Sequence, residues 1–383
     1  MNFNIPVELA DLRQTVRGFV DDELIPIELV CVEGPALRPG CRAPLEEKAK
    51  QRGLWLLDAP LEYGGRNLGL LAHVIVWEEL SRTIALPIRA PGVFGPEVKG
   101  IMLSLSEEQR SRYLLPFIRG EKKTAFVQTE PDAGSDPGAM RTTAVRRGDV
   151  YVINGYKRFI SNAADADFFQ LVAATDRAKG SRGGLSVFLV DAKLPGIRIV
   201  RKTVTMMAAE TYEIAFDDVE VPVEDRVGAE GEGMGRAQSW LVGNRLRQAC
   251  AGLGVARRCI ELMVSHVRRR AAGGAPRAEL CSVEAAIADS FMEHYAVQLL
   301  VYQAAARVDA GEAVRSDGYM AKVQGTELGH RVADRCMEIH GAAGLTTSLP
   351  IEKMWRDSRS LIITEGPAEV MRMVLAREIL RGY

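Results

Sequence analysis

The sequence is poor in the side-chain patterns from which metal sites and disulfide frameworks are built. Its six cysteines (Cys31, Cys41, Cys250, Cys259, Cys281 and Cys336) form no CxxC pair, and its five histidines (His73, His266, His294, His330 and His340) lie far apart along the chain. That spacing argues against a zinc site and against a disulfide framework, and predicts a reduced chain. Charge of one sign is missing too: 49 basic residues meet 50 acidic ones, for a formal net charge of −1. So balanced a chain offers no electrostatic footprint for nucleic acid. The greasiest run, Leu70 to Trp77, is interrupted by His73 and falls far short of the ~18 apolar residues of a membrane helix. MNFNIPVELADLRQ carries acids and lacks the basic start and apolar stretch of a secretion signal. A soluble, cytoplasmic protein without membrane insertion is therefore expected. No GxGxxG follows a strand-like run, and GAEGEGMG reads as a flexible entry into a helix more than as a phosphate cradle. Internal repeats and low-complexity tracts are also lacking.

What is present is an ordinary globular composition. The 383 residues are 47% hydrophobic and 26% charged, which allows two or three domains at roughly 150 residues each. Up to about Gly120 the pattern is helical: Leu9, Leu12, Val16, Phe19 and Val20 recur at spacings of three and four, and Leu45 to Leu57 and Leu70 to Leu80 also suit helices. From Thr124 to about Asp225 short β-branched runs alternate with turns. AVRRGDVYVING reverses at Gly-Asp, and SVFLVD, IRIVRKTV and YEIAFDDVEVP follow. Further on, Val242, Leu246, Ala249, Leu253, Ala256, Ile260, Met263 and Val267 place one apolar face along a long helix suited to antiparallel bundle packing. A Gly-Gly-Ala-Pro break at 273–276 ends it, and more helices are predicted at about 280–311, 316–340 and 367–380. The order is α, then β, then α. Alternating βα units would imply a parallel nucleotide-binding sheet, so a Rossmann fold is disfavoured.

The segment richest in chemistry is AFVQTEPDAGSD, Ala125 to Asp136, where a strand runs into a turn. Glu130, before a proline, is held extended, Gly134 is free for unusual dihedrals, and Thr129 and Ser135 offer hydroxyls. Such a loop can present donors to a flat heteroaromatic ring; by itself it reads more readily as an ordinary polar turn.

Three distant segments agree with it in order and separation: NGYKRFISNAADADF, IHGAAGL, and RDSRSLIITEGPAEVMRMVLAREIL. With these, the chain resembles the acyl-CoA dehydrogenase family of flavoproteins over essentially its whole length. The resemblance implies an α+β multidomain fold: an N-terminal α-helical domain (1–123), a middle β-barrel or sandwich domain (124–228) and a C-terminal four-helix bundle (229–383). It also implies FAD as cofactor, an acyl-CoA substrate, an electron-transfer flavoprotein as acceptor, and a homotetramer or homodimer in lipid metabolism.

Carried over by position, Phe126, Gln128, Thr129 and Ser135 would line the isoalloxazine, Ser135 also near substrate. Phe159 and Ser161 would face the flavin where the family usually carries Trp and Thr; as a plain strand residue Phe159 would instead sit in the core. Glu365, in a TEG step similar to the family's Y-E-G, would remove the α-proton of the thioester while flavin N5 takes the β-hydrogen as hydride. Burial would raise the basicity of that carboxylate, and its backbone N–H with the ribityl chain would bind the thioester carbonyl. Some relatives carry the base just before an arginine on the long helix. Here that position is Asn244 before Arg245, which leaves Glu365 alone as base and Arg245 at the thioester end. Gly366 would let substrate approach the backbone closely. Gly341, Ala342, Pro367 and Glu369 also fall at cofactor-site positions.

The ADP end departs from the family pattern. In RAAGGAPRAELC, Arg270 is retained for phosphate, but Gly273 replaces an aromatic and Cys281 a glutamine, and Glu338 stands where a glutamine usually precedes a Gly-Gly turn. An acid near a diphosphate is unfavourable unless paired; Arg268 and Arg269 are candidates to compensate, or else a solvated helix end. Besides an active homo-oligomer, these changes admit one subunit of a heteromeric dehydrogenase, or a catalytically silent flavin-binding partner. Thr364, Pro367 and the Met206 to Thr211 stretch alter the pocket without defining chain length. Branched, cyclic or steroid side-chain thioesters, a carrier-protein thioester, and acyl-CoA oxidase or enoyl-CoA reductase activity all stay open.

Overall fold

The structure, a computed structural model, describes residues 5–34, 36–88, 92–98, 100–272, 277–312 and 314–382, with side chains at 36, 233–241, 271–272 and 277–281 outside that description. Its contacts divide the chain into two units: one takes residues up to Asp58, Gly65–Gly95 and everything from Val242, the other Ala59–Gly64 and Pro96–Leu241.

In the first unit, α1 (Val7–Phe19) buries Leu12, Val16 and Phe19, the face its spacing predicts. The second helix differs from the expected 45–57. As α2 it spans Pro39–Gln51, because Gly53 takes φ +68° and the Leu54 N–H turns back to the Ala49 carbonyl at 2.8 Å. Leu54 and Leu57 then reach the core from the loop. The third, α3 (Leu70–Leu80), forms as predicted. Its first free N–H groups, Leu70 and Leu71, donate to the Asp309 carboxylate at 2.6 and 2.9 Å, an acid at a helix N-terminus.

Cys31 and Cys41 are joined as a disulfide with Cα atoms 6.2 Å apart, which corrects the expectation of a reduced chain. Val32–Glu33 and Ala36–Leu37 pair antiparallel, and the Arg38 N–H donates to the Cys31 carbonyl at 2.9 Å. The chain thus folds back and brings the start of α2 to the residue before the hairpin.

The same unit holds α4 (Gly233–Ala272, from Val242 on), α5 (Arg277–Asp309), α6 (Arg315–His340), α7 (Ile351–Ile363) and α8 (Ala368–Gly382). The predicted stripe of α4 buries Leu246, Ala249, Leu253, Ala256, Ile260 and Met263 in a core shared with α3, α5, α6 and α7. The Gly-Gly-Ala-Pro break at 273–276 lies outside the described residues. Helix α7 has no counterpart in the sequence reading, although Ile351, Met354, Ser358 and Leu361 mark its buried side. Among the described residues no helix is long and apolar enough to cross a membrane.

The second unit is built on eight strands: β1 (Thr124–Val127), β2 (Thr143–Arg147), β3 (Val150–Ser161), β4 (Phe168–Ala174), β5 (Leu185–Asp191), β6 (Ile197–Val204), β7 (Glu210–Pro222) and β8 (Arg226–Val227). They hydrogen bond in the order β8-β5-β4-β2-β3-β7-β6, with β1 parallel to β4. Tyr151, Ile153, Leu171, Phe188, Ile214 and Phe216 form the centre of its core. Short helical turns between Glu107 and Ile118 belong to this unit. They are fastened by Tyr113 against Phe168, ring centroids 4.9 Å apart, and by Arg112 to the buried Asp225 at 2.8 Å.

Candidate active site

In the β unit, β1 delivers the chain into a turn closed by paired backbone bonds between Glu130 and Ala133. A buried ion pair holds that turn from beneath. Lys157 of β3, wholly buried, donates from Nζ to the Gln128 carbonyl and to Glu130 Oε1, each at 2.9 Å. Glu130 also accepts the Arg141 and Thr142 N–H groups at 2.7 and 3.0 Å. Burial opposes the charge on Glu130, but the Lys157 ammonium and these donors prevail and hold its pKa below the usual carboxylate range.

The next residues of β3 present the flavin-facing candidates. Arg158 N–H donates to the Thr129 carbonyl at 2.8 Å, which sets Phe159 beside the turn. The register of β3 against β7 shifts between Lys157 and Ile160, and within that bulge Phe159 adopts φ +58°. A non-glycine residue in this region costs roughly 1–3 kcal/mol and calls for a reason. Its ring is 53% exposed, which excludes the core reading, and the Arg158 guanidinium lies 4.6 Å from the ring centroid. Phe126 on β1 is 37% exposed. Gln128 and Thr129 are half-buried, and Ser161 and Ser135 are exposed, the latter on the outer part of the turn. The unit thus gathers Gln128, Thr129 and Phe159 closely, with Phe126 and Ser161 each two residues away along its strand. Two aromatic faces with amide and hydroxyl groups at hand suit a flat ring with a polar edge.

In the helical unit the informative feature is the link between α7 and α8. Thr364 closes α7 with both its N–H and its hydroxyl donating to the Ser360 carbonyl at 3.0 Å. Glu365 (φ +56°) and Gly366 (φ +99°) then turn through left-handed conformations. At Gly366 it is the backbone, at φ +99°, that favours glycine; the only atom a Cβ would crowd is the terminal Cε of the flexible Met371, at 2.7 Å. The Glu365 side chain is exposed, so the burial expected to raise its basicity is not supplied by neighbouring side chains. Pro367 accepts from the Met371 N–H at 3.1 Å as α8 begins, and Glu369 is exposed in its first turn.

A buried cation lies at this turn, and a half-buried one stands on α4. Lys322 of α6, wholly buried, donates to the Ile362 and Gly366 carbonyls at 3.0 and 2.8 Å. Burial pushes its pKa down to about 8 against the opposing pull of Glu365. The Arg245 guanidinium lies 4.3 Å from the Tyr319 ring centroid, its Nε is buried without a hydrogen-bond partner among the described residues, and burial lowers its pKa. Asn244 beside it is half-buried. Neither Lys157 nor Lys322 was found by sequence reasoning, since a lone lysine in a strand or helix carries no motif.

Of the residues assigned to the ADP end, those whose side chains are described are exposed: Arg270 in the last turn of α4, Glu338 in that of α6, and Gly341 and Ala342 just beyond. The His266 and His340 rings meet at 4.4 Å between these helix ends. Nearby on α4 is an open recess of about 520 Å³ lined by Glu261, Val264, Ser265, Arg268 and Arg269. Arg269 donates to Ser265 Oγ at 2.8 Å, and among the described residues neither it nor Arg268 pairs with Glu338. Gly273 and the Cys281 side chain lie outside the described residues.

Three family models match the chain: acyl-CoA dehydrogenase N-terminal domain over residues 7–121, middle domain over 125–219 and C-terminal domain over 231–380. A short-chain specific acyl-CoA dehydrogenase of Clostridium acetobutylicum is 34% identical, with all of both chains covered. The caffeyl-CoA reductase-Etf complex subunit CarC of Acetobacterium woodii is 33% identical over 97% of each chain. Butyryl-CoA dehydrogenase of Megasphaera elsdenii superposes with a TM-score of 0.84 at 27% identity, covering 99% of this chain and 100% of that one.

Proposed function

The chain belongs to the acyl-CoA dehydrogenase family, and from that premise we propose that it oxidises an acyl-CoA to the trans-2-enoyl-CoA with Glu365 as the α-proton base. The observation that carries the reading is the left-handed Glu365-Gly366 turn, which offers an exposed carboxylate and a backbone N–H from the same residue. The carboxylate takes the α-proton while the N–H steadies the thioester oxygen as it gains charge. Because Glu365 is exposed, the acyl chain itself must displace water from it as substrate seats. Arg245, clamped on Tyr319, stands at the thioester end as a fixed positive charge.

FAD, when bound, accepts the β-hydrogen and the electron pair. Phe126 and Phe159 would flank its ring, Gln128, Thr129, Ser135 and Ser161 would meet the polar edge, and Arg270 would pair with phosphate beside Gly341, Ala342, Pro367 and Glu369. The exposed Glu338, where the family usually carries a glutamine, bears a charge that opposes a diphosphate. It favours a second reading, in which a different chain of a hetero-oligomer grips the ADP. The first reading takes a homodimer or homotetramer in the cytoplasm passing electrons to an electron-transfer flavoprotein.

Anaerobic titration of the protein, expressed alone, with saturated acyl-CoAs of increasing length tests this. One FAD per chain in a homo-oligomer, bleached by a short acyl-CoA, is expected. Substoichiometric FAD restored by a second chain would favour the hetero-oligomer. A flavin that no saturated acyl-CoA bleaches, but that turns over enoyl-CoA when pre-reduced, would make the protein a reductase.

A further inference from the structure

Lys322 is the buried charge that the proposed chemistry leaves unused. It sits in α6 between Tyr319, the platform of Arg245, and Val323, which packs with Ala368 and Met371 of α8. Its ammonium reaches two carbonyls, Ile362 in the last turn of α7 and Gly366 after the turn. These bracket Ile363, Thr364 and Glu365. The bracketed segment contains a glutamate at φ +56° followed by a glycine at φ +99°, a conformation that an unbraced chain abandons. Thr364 restrains only the α7 side, through Ser360. On the far side the Gly366 carbonyl is fixed by Lys322.

We infer that Lys322 is a positioning residue for Glu365: its ammonium ties both ends of the turn and thereby sets where the carboxylate and the Glu365 N–H point. This rests on the reading of Glu365 as the base. A lysine suits the task because its three N–H donors serve two carbonyls at once from a single charged atom. The charge also faces the carboxylate it positions. The charged groups around it are Glu365 on the turn, Glu327 on its own helix, Glu369 on α8 and Arg245 on α4. With its pKa pushed down to about 8 by burial, the clamp loosens within an accessible alkaline range, where an ordinary lysine, at ~10.4, would stay charged.

The test is uptake of deuterium at the α-carbon of butyryl-CoA in D2O by the anaerobic holoenzyme, followed as a function of pH for wild type, Lys322→Met and Glu365→Gln. Wild type should lose exchange activity above about pH 8. Lys322→Met, nearly the same length without the charge, should exchange ~10²-fold more slowly, the penalty of a misplaced reacting group. It should also lack the alkaline limb while keeping FAD content, oligomeric mass and KM near wild type. Lys322→Met exchanging at the wild-type rate with the wild-type pH profile would overturn the inference. Glu365→Gln separates the two readings: if it still exchanges, the base assignment itself fails; if it is silent while Lys322→Met is normal, only the positioning role fails. Should Lys322→Met not fold, wild type decides alone, because exchange that stays level from about pH 7 to 10 would contradict a clamp that titrates near 8.

Discussion

Glu130 is held in the turn after β1 by the buried ammonium of Lys157, 2.9 Å from its Oε1. Its place before Pro131 predicts extended backbone, which the bridge to Ala133 fits, but its partner lies 27 residues on. In β3 a simple alternation would have located Lys157 on one face or the other. The burial pattern does not alternate: Tyr151, Val152 and Ile153 are all buried, and the register shifts between Ile153 and Gly155 and again in the bulge after Lys157. The same bulge explains why Phe159 is exposed rather than in the core. Replacing Glu130 by Gln leaves the Lys157 ammonium buried without its counter-charge, and such losses cost about 3–5 kcal/mol. The sign with pH follows from the depressed pKa of Glu130. Its stabilisation is complete above the ordinary carboxylate value of ~4.3 and is lost as pH falls through the lower folded value. Denaturant unfolding at several pH values should therefore show a wide gap between wild type and Glu130→Gln at neutrality that narrows in acid. A gap independent of pH would refute the ion-pair account.

Among the elements, helix α4 was legible as a stripe because Leu246, Leu253, Ile260 and Met263 face one core. Its crossing with α6 was not. A Cβ on Gly252 would lie 2.0 Å from the Gly325 carbonyl oxygen, and one on Gly325 would lie 2.6 Å from Ala249 Cα. Two helices touch there backbone to backbone, and a hydrophobic pattern is blind to contacts made by residues without side chains. In a free helix Gly252→Ala would stabilise by about 1 kcal/mol. Here the methyl meets backbone that cannot yield, and overpacking of about 1–3 kcal/mol or more should prevail. Urea unfolding should show Gly252→Ala less stable than wild type; a more stable variant would mean the helices are not in this contact. Helix α7 escaped notice for another reason: its buried side includes Lys353, Asp357, Ser358 and Ser360, so polar residues interrupt the apolar period that marks a helix. The Cys31–Cys41 bridge depends on a hairpin too short to be read from its residues.

Across the whole molecule, the α, β, α order was visible because periodicity changes from helical to alternating at Thr124 and back after GAEGEGMG. The candidate site was legible as residue types: Glu365, Arg245, Phe126 and Phe159 follow from motifs that stand far apart in the chain. What holds them, the left-handed turn at Glu365 and the buried lysines beneath, was not, because it arises from segments that meet only on folding. The account as a whole depends on Glu365 removing the α-proton. Anaerobic mixing of Glu365→Gln holoenzyme with a short acyl-CoA, monitored by flavin absorbance, tests this most directly. The account predicts bleaching slowed by ~10²–10⁴-fold, the usual contribution of a positioned base, with FAD content unchanged. A variant that bleaches at the wild-type rate would contradict it.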